Sequence, residues 1–339
     1  MSKKNSSVPS LNNIVLKDKK ISKIYQLFKK RISFLKKKKI IIGVSGGPDS
    51  LALAALSRVY EYEFKTKIFY VLVDHGIRKG SSKEALNVKK LLKKNSINLN
   101  ILTNNVKINS NIQSNARVIR YKLLVNFCKK KKLNHILTAH HSDDQIETFL
   151  IRLSRGSGVQ GLSSMKFLTK LDKQINLIRP LLDVKKENLI YTTKKIFKKV
   201  IKDPSNKDIK FLRVRIRSLK NKLEKSGIFH EQIIKSIKNL SATSETLNKY
   251  MNKIYKKNVK KKKNEVIVNY KKLKEESLEI QIRILSLVIK NFTGSYYPPR
   301  SKKIINLIEG INNKKQKKFT LSKCVIEVKQ NQLSIKKEA

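Results

Sequence analysis

The sequence predicts an α/β fold: a doubly wound parallel sheet followed by a helical, lysine-rich C-terminal region with a small mixed α/β tail. Three observations predict it. Short apolar runs alternate with helical segments over the first half of the chain. Glycine is concentrated there, with eight of the eleven glycines preceding Leu162. One apolar run, IIIGV at Ile40–Val44, passes directly into a serine- and glycine-rich turn and then into an alanine- and leucine-rich helix.

Taken in order, residues 1–37 read as a basic lead-in carrying one amphipathic helix near Ile21–Phe34. The Ile40–Val44 run has the continuous apolar character of a strand covered on both faces. Lys67–Asp74 (KIFYVLVD) is a second buried strand, ending in Asp74-His75-Gly76. Ser82–Asn95 places Ala85, Val88, Leu91 and Leu92 at helical spacing, and Leu99–Leu102 is a short strand. Asn115–Lys130 is a helix with Ala116, Ile119, Leu123 and Phe127 on its buried face. His135–Ala139 (HILTA) is a further strand, followed by a helix from Asp143 to Leu153. The loop RGSGVQG, with Gly156, Gly158 and Gly161, is either a hinge or a backbone that approaches a ligand.

Beyond it, Arg179-Pro180-Leu181-Leu182 and Asp203-Pro204-Ser205-Asn206 read as rigid turns flanking a helix at Lys185–Val200, and FLRVRIR (Phe211–Arg217) follows. From Leu219 the chain reads as helical, with a solvated lysine run at Lys256–Lys263. The tail from Tyr296 carries a helix near Ile304–Ile308 and strands near Phe319–Leu321 and Cys324–Val328. The expected segments are therefore 1–37, 38–218, 219–295 and 296–339.

Composition narrows the function classes. The 78 Lys+Arg against 24 Asp+Glu give a formal charge of +54, which attracts polyanions, nucleic acid first among them. Coding bias toward lysine, asparagine and isoleucine inflates such a count, so the charge supports an RNA partner without establishing one. Cys128 and Cys324 are far apart, which gives neither a C-x-x-C motif nor a disulfide framework. No apolar run approaches the ~20 residues that cross a bilayer. The opening MSKKNSSVPSLNN has no apolar signal core, so a cytoplasmic protein is expected.

The strand–turn–helix at Ile40–Leu56 is an anion site by construction, because free N–H groups and the helix dipole meet at the turn. Gly46 and Gly47 let backbone approach a phosphate, and Ser45 and Ser50 offer hydroxyls. Asp49 would repel a bare phosphate, so a magnesium ion between the two is expected. The Walker A spacing and its lysine are missing. This SGGPDS turn resembles the pyrophosphate loop of the N-type ATP pyrophosphatases.

Two other clusters carry chemistry. His140, His141, Asp143, Asp144 and Glu147 fall where a strand gives way to a helix. Asp144 and Glu147, three apart, share a face, as do Asp143 and Glu147. One plain reading makes Asp143 or Asp144 an N-cap, and a zinc site is conceivable from the same groups. In NIQSNARVIRY (Asn111–Tyr121), Arg117, Arg120 and Tyr121 leave the polar side of their helix. Two such arginines form a solvated basic face or neutralise phosphate charge.

Together IIIGVSGGPDS, VDHGIR (Val73–Arg78), NIQSNARVIRY, LTAHHSDDQIET (Leu137–Thr148), RLSRGSGVQGL (Arg152–Leu162), IRPLLD (Ile178–Asp183) and DPSN (Asp203–Asn206) resemble the tRNA(Ile)-lysidine synthetase family, from about Lys38 to Arg217. The resemblance implies a C–N bond-forming ligase with a PP-loop catalytic domain at 38–218. It implies ATP and Mg2+ as cofactors, with a CAU-anticodon tRNA(Ile) and free L-lysine as partners. The wobble cytidine is adenylated at its C2 oxygen, and the lysine ε-amine then displaces AMP, so that the tRNA reads AUA in place of AUG.

Carried onto this chain, Ser45, Gly46, Gly47, Pro48, Asp49 and Ser50 bind ATP, with Asp49 near magnesium. Asp49, Arg120, Asp144 and Glu147 are the catalytic set, and Arg213, Arg215 and Arg217 contact tRNA. The compartment implied is bacterial cytoplasm or plastid stroma, and the oligomeric state is not implied. After Arg217 the resemblance weakens: Ile209-Lys210 stands where relatives often carry an Arg-Asn pair. Two further readings stand beside it. One is a tRNA-thiolating relative, which commonly needs paired cysteines. The other is a non-catalytic basic RNA-binding protein, which leaves the acids beside the phosphate loop unexplained.

Overall fold

The computed structural model describes residues 11–77, 80–104, 106, 112–172, 174–198, 212–295, 298–313 and 316–338. Arg78, the Asp203–Asn206 turn and Ile209-Lys210 lie outside the described residues. The chain divides into two compact units, Met1–Ser241 and Ala242–Ala339.

The first unit is built on six strands: β1 (Ile40–Val44), β2 (Ile68–Asp74), β3 (Leu99–Thr103), β4 (His135–Leu137), β5 (Leu168–Lys170) and β6 (Asn176–Ile178). Their order is β3-β2-β1-β4-β6-β5, all parallel except the edge strand β5. The order reverses between β1 and β4, so the crevice beyond the carboxyl ends of those two strands is where ligands bind in such sheets. The phosphate loop follows β1 and the HHSDD cluster follows β4, which places both at this switch point.

Strand alternation explains the layers. Ile40, Ile42 and Val44 face one side, packed with α1 (Leu11–Lys17), α2 (Lys19–Arg31), α3 (Pro48–Phe64), α4 (Ser81–Lys93) and residues such as Leu189 of α8 (Lys186–Phe197). Ile41 and Val71 face the other side, against Leu124 and Cys128 of α5 (Ile112–Lys131). The buried positions of α5 are Ala116, Leu124 and Cys128, whereas Leu123 and Phe127 are only partly covered. Ala116 lies on the expected face, while further along the buried positions move to Leu124 and Cys128, which pack with Ile41 and Val71.

The 1–37 segment is more than a lead-in. It forms two helices where one was expected, and Ile21, Tyr25 and Phe28 join the core. Arg31 reaches from α2 to form an ion pair with Asp183 and donates to Pro180 O. Helices α6 (Ser142–Leu153), α7 (Val159–Leu162), α9 (Leu212–Ser218) and α10 (Lys220–Lys225) complete the unit, and α11 (His230–Asn258) runs through the boundary at Ser241.

The second unit adds two strands to the stretch read as helical between Leu219 and the mixed tail. It contains β7 (Val259–Lys261) and β8 (Glu265–Asn269), then α12 (Tyr270–Lys274), α13 (Leu278–Thr293) and α14 (Ser301–Asn312). β9 (Lys318–Thr320), β10 (Cys324–Lys329) and β11 (Gln332–Lys337) follow, and the sheet runs β7-β8-β11-β10-β9. Strand β8 pairs with β11, 60-odd residues later, so residues on both sides of position 296 share one core. At five residues, EVIVN is too short for the period-two burial of Val266 and Val268 to stand out in a reading by composition.

Ile335 is fully buried on the central strand β11. Ile335→Ala should destabilise this unit by about 2–5 kcal/mol. Hydrogen exchange at the amides of β8 and β10 is the measurement. Protection there should fall, while that of β1 is unchanged.

Candidate functional site

The phosphate loop is shaped before any ligand arrives. Ser50 Oγ donates to Gly47 O (2.9 Å), accepts from Ser45 N (3.1 Å) and lies 3.2 Å from Ser45 Oγ, closing the turn on itself. Gly47 is the N-cap of α3 and Pro48 occupies its first turn, where a missing N–H costs nothing. Thr193 of α8 donates to Pro48 O at 2.6 Å, tying the loop to a neighbouring helix. Gly46 has φ +84°, and a Cβ there would meet Val88 Cγ2 at 2.7 Å. Both the backbone and the space demand glycine.

At the start of α6 the cap is His141, not Asp143 or Asp144. His141 Nδ1 accepts from Asp144 N (3.4 Å), and Asp144 Oδ2 accepts from His141 N (3.2 Å), a reciprocal capping box. Accepting at Nδ1 puts the ring proton on Nε2, which lies 3.5 Å from Asp49 Oδ2 and 3.5 Å from Asp144 Oδ2. Burial opposes a charge on this ring, yet Asp49, Asp144 and Asp143 together raise its pKa above the ordinary value. His141 therefore joins the phosphate loop to the acid helix.

The remaining acids are engaged differently. Asp143 accepts from Lys186 N at 2.9 Å and lies 3.9 Å from His230 Nε2, so it anchors α8 and α11. Glu147, only 4% exposed, is held by Arg217 through Nε and, at 3.2 Å, through Nη2. Arg213 Nε stands 3.7 Å from the same carboxylate. Spacing on a helix explains this: Arg213 and Arg217 are four apart and share a face, while Arg215 is exposed on another. Glu147 is thus gathered with two of the three arginines expected at tRNA.

Arg120 is exposed, and its Nε donates to Nε2 of His75 at 3.3 Å. Arg117 lies over the Tyr121 ring, 5.1 Å from its centroid. Near the end of α6, Arg152 donates to Gly161 O and Ser164 O, which holds the segment that follows the RGSG loop against α6. His141 was named in the chemistry-bearing cluster but given no role in the catalytic set, and His75 was not singled out as a site residue. The available signals were the HH pair before the acids and the VDHGIR motif.

Asp49 Oδ1 is buried without a partner. A carboxylate oxygen left in that state fits a divalent cation that takes its other ligands from phosphate and water. Among the described residues no three His, Cys, Asp or Glu side chains form a metal-holding group, which disfavours the zinc reading of the HHSDD cluster.

A parallel sheet with its switch point between β1 and β4, a glycine-bearing phosphate loop and no Walker lysine together define a PP-loop ATP-binding protein. The PP-loop domain family model matches residues 16–223. The tRNA(Ile)-lysidine synthase of Bradyrhizobium diazoefficiens is 40% identical over 56% of this chain, and the chain spans about half, 53%, of that relative. The chloroplastic tRNA(Ile)-lysidine synthase of Gracilaria tenuistipitata var. liui is 30% identical over 88% of this chain and 92% of its own. In structure, the U34-tRNA thiolase NcsA from Methanococcus maripaludis with its 4Fe-4S cluster has the same fold: TM-score 0.56, 20% identity, 66% of this chain and 79% of that chain covered. The chain belongs to the tRNA(Ile)-lysidine synthase family of PP-loop proteins.

Two outcomes check this geometry. Gly46→Ala should cost about 1–3 kcal/mol of strain, which the loop relieves by leaving its phosphate-binding shape. ATP affinity should then fall about 5- to 150-fold by equilibrium binding. For His75, burial and the neighbouring Arg120 charge push the pKa down to about 4, against the pull of Asp74. The unfolded chain takes up a proton near the ordinary value of 6.5 while the fold refuses it, so stability from this residue is full above that value and declines as pH falls toward about 4. The His75 ring signals should stay in the neutral form from pH 7.5 to 5 by NMR.

Proposed function

We propose that this chain is a ligase that joins free L-lysine to C2 of the wobble cytidine of a CAU-anticodon tRNA(Ile), using ATP. The observation that carries the proposal is the bridge through His141, which brings Asp49 of the phosphate loop and Asp144 of the acid helix to one imidazole. An enzyme of this kind handles a triphosphate and then an ammonium at the same place.

In the first half-reaction the cytidine C2 oxygen attacks the α-phosphorus and pyrophosphate leaves. Residues Ser45–Ser50 cradle the leaving phosphates, and Arg120 meets the charge that builds on them. A bound magnesium ion, held by the orphaned oxygen of Asp49, would neutralise phosphate charge. In the second half-reaction the lysine ε-amine forms a bond to C2 and AMP leaves. Asp144 pairs with the ammonium and takes up its proton as it becomes a nucleophile. Glu147 is sequestered by Arg213 and Arg217, so its role in this reading is to seat α9 against α6 near the tRNA. The exposed Arg215 and the excess of lysine supply phosphate contacts along the tRNA.

The thiolation alternative is weakened by the cysteines. Cys128 is fully buried and burial pushes its thiol up to about 12, which leaves no thiolate to carry sulfur. No helix among the described residues is long and apolar enough to cross a membrane. Bacterial cytoplasm or plastid stroma, where ATP, lysine and tRNA meet, is the compartment we infer.

Radiolabelled lysine incorporated into a CAU-anticodon transcript is the decisive test. Asp49→Asn should fold and bind tRNA but lose pyrophosphate release at least about 100-fold. Asp144→Asn should retain ATP binding and lose apparent lysine affinity about 10-fold or more, since an amide cannot pair with an ammonium. Lysine use unchanged in Asp144→Asn removes that residue from the amine site.

A further inference from the structure

The VDHGIR motif lies beside this site, and the reaction above leaves it without a role. Its His75 follows β2 in a turn fixed from both sides. Asn104 N donates to Asp74 O (2.9 Å) and Asn104 Nδ2 to His75 O (3.2 Å). The Asp74 carboxylate accepts from Gly76 N at 3.0 Å and from Ser82 Oγ at 2.7 Å, pinning the other flank to α4. A ring mounted on such a turn has little freedom to follow a mobile partner, so the partner must follow it.

That partner is Arg120, whose Nε–H donates to His75 Nε2 at 3.3 Å. We propose that His75 is a positioning residue for Arg120: the neutral imidazole holds the guanidinium by its Nε edge, leaving both terminal NH2 groups and the whole positive charge for a phosphate of the nucleotide. This rests on the reading of Arg120 as a phosphate-facing group.

Three features favour it. A guanidinium has five N–H donors in a planar fork, so engaging the Nε–H fixes the plane while the terminal pair stays available. Arg120 makes no other hydrogen bond among the described residues. The choice of imidazole is also telling. A carboxylate would orient an arginine equally well but would cancel the charge that the phosphate needs, whereas a neutral ring orients without cancelling. Since Nε2 accepts, the proton sits on Nδ1, and that nitrogen is buried with no partner. Among the described residues no carboxylate accepts from Nδ1, so the ring is not drawn toward imidazolate. Burial and Arg120 keep it uncharged through the physiological range, in agreement with this role.

The test uses the full chain with His75→Ala, His75→Gln and His75→Glu. Glutamine places a neutral acceptor near the position of Nε2, and glutamate places a charged one there. With saturating ATP and unmodified tRNA, His75→Ala should lower the turnover of pyrophosphate release about 10- to 100-fold, the cost of a misplaced catalytic group. The KM for ATP should move by less than about threefold, because the loss is confined to the transition state. His75→Gln should restore turnover to within about fivefold, and His75→Glu should remain as low as His75→Ala.

Equal activity of the Gln and Glu variants overturns the proposal, since only the acceptor would then matter. Wild-type turnover in His75→Ala overturns it as well. A readout independent of turnover is the NMR signal of the Arg120 Nε–H. It should persist in wild type and His75→Gln, vanish in His75→Ala and shift when ATP is added. If wild type releases pyrophosphate but incorporates no lysine, the lysidine reading fails and the His75 series still stands. If ATP leaves the Arg120 signal unmoved, the His75 proposal fails whatever becomes of that reading.

Discussion

One buried imidazole holds this site together. His141 caps α6 through Nδ1 and faces Asp49 and Asp144 through Nε2, so a single ring sets the helix start and the separation of two carboxylates. The Nε2 edge of the ring stands between them, beside a loop built for phosphates. Everything else in the crevice is arranged around this joint: the self-closed Ser45–Ser50 turn on one side, and the arginine-held Glu147 one turn along α6 on the other.

The electrostatics of the chain divide by place. The formal charge of +54 is spread over the surface as lysine, which a polyanion can meet with many weak, screened contacts. Arginine is used where geometry matters: the fork of Arg217 on Glu147, Arg152 on the segment that follows the RGSG loop and Arg179 on Lys166 O and Thr169 Oγ1. Planar bidentate donors hold acceptors in register, whereas lysine supplies charge without direction. The acids of α6 sit within this basic surface and oppose RNA binding.

Long-range pairing set the limits of what the sequence could reveal. The IIIGV strand, SGGPDS and the alanine-rich start of α3 were legible together, because a strand, a phosphate turn and a helix each have a local signature. Strand β8 was missed because its period-two pattern is only a few residues long, and its partner β11 lies beyond three helices and two strands. On α5 Ala116 was legible, but Leu123 was chosen where Leu124 is buried, since both are apolar and only packing against the sheet selects between them. Arg213, Arg215 and Arg217 looked equivalent in a string. A helix separates them, because residues two apart point to different sides.

The sequence by itself determined the doubly wound class, the phosphate loop and the carboxylates near it, all of which are encoded within stretches of about a dozen residues. It also carried the family motifs in order. Tertiary structure alone decided which of those groups meet. Asp49 and Asp144 are 95 positions apart, and they face one imidazole because β1 and β4 are neighbours in the sheet. His75 and Arg120 meet because the end of β2 lies beside α5. Glu147 was committed to Arg217 by the docking of α9, a contact between residues 70 apart. Local propensity fixes where a side chain can point; only the packing of sheet and helices fixes what it finds there.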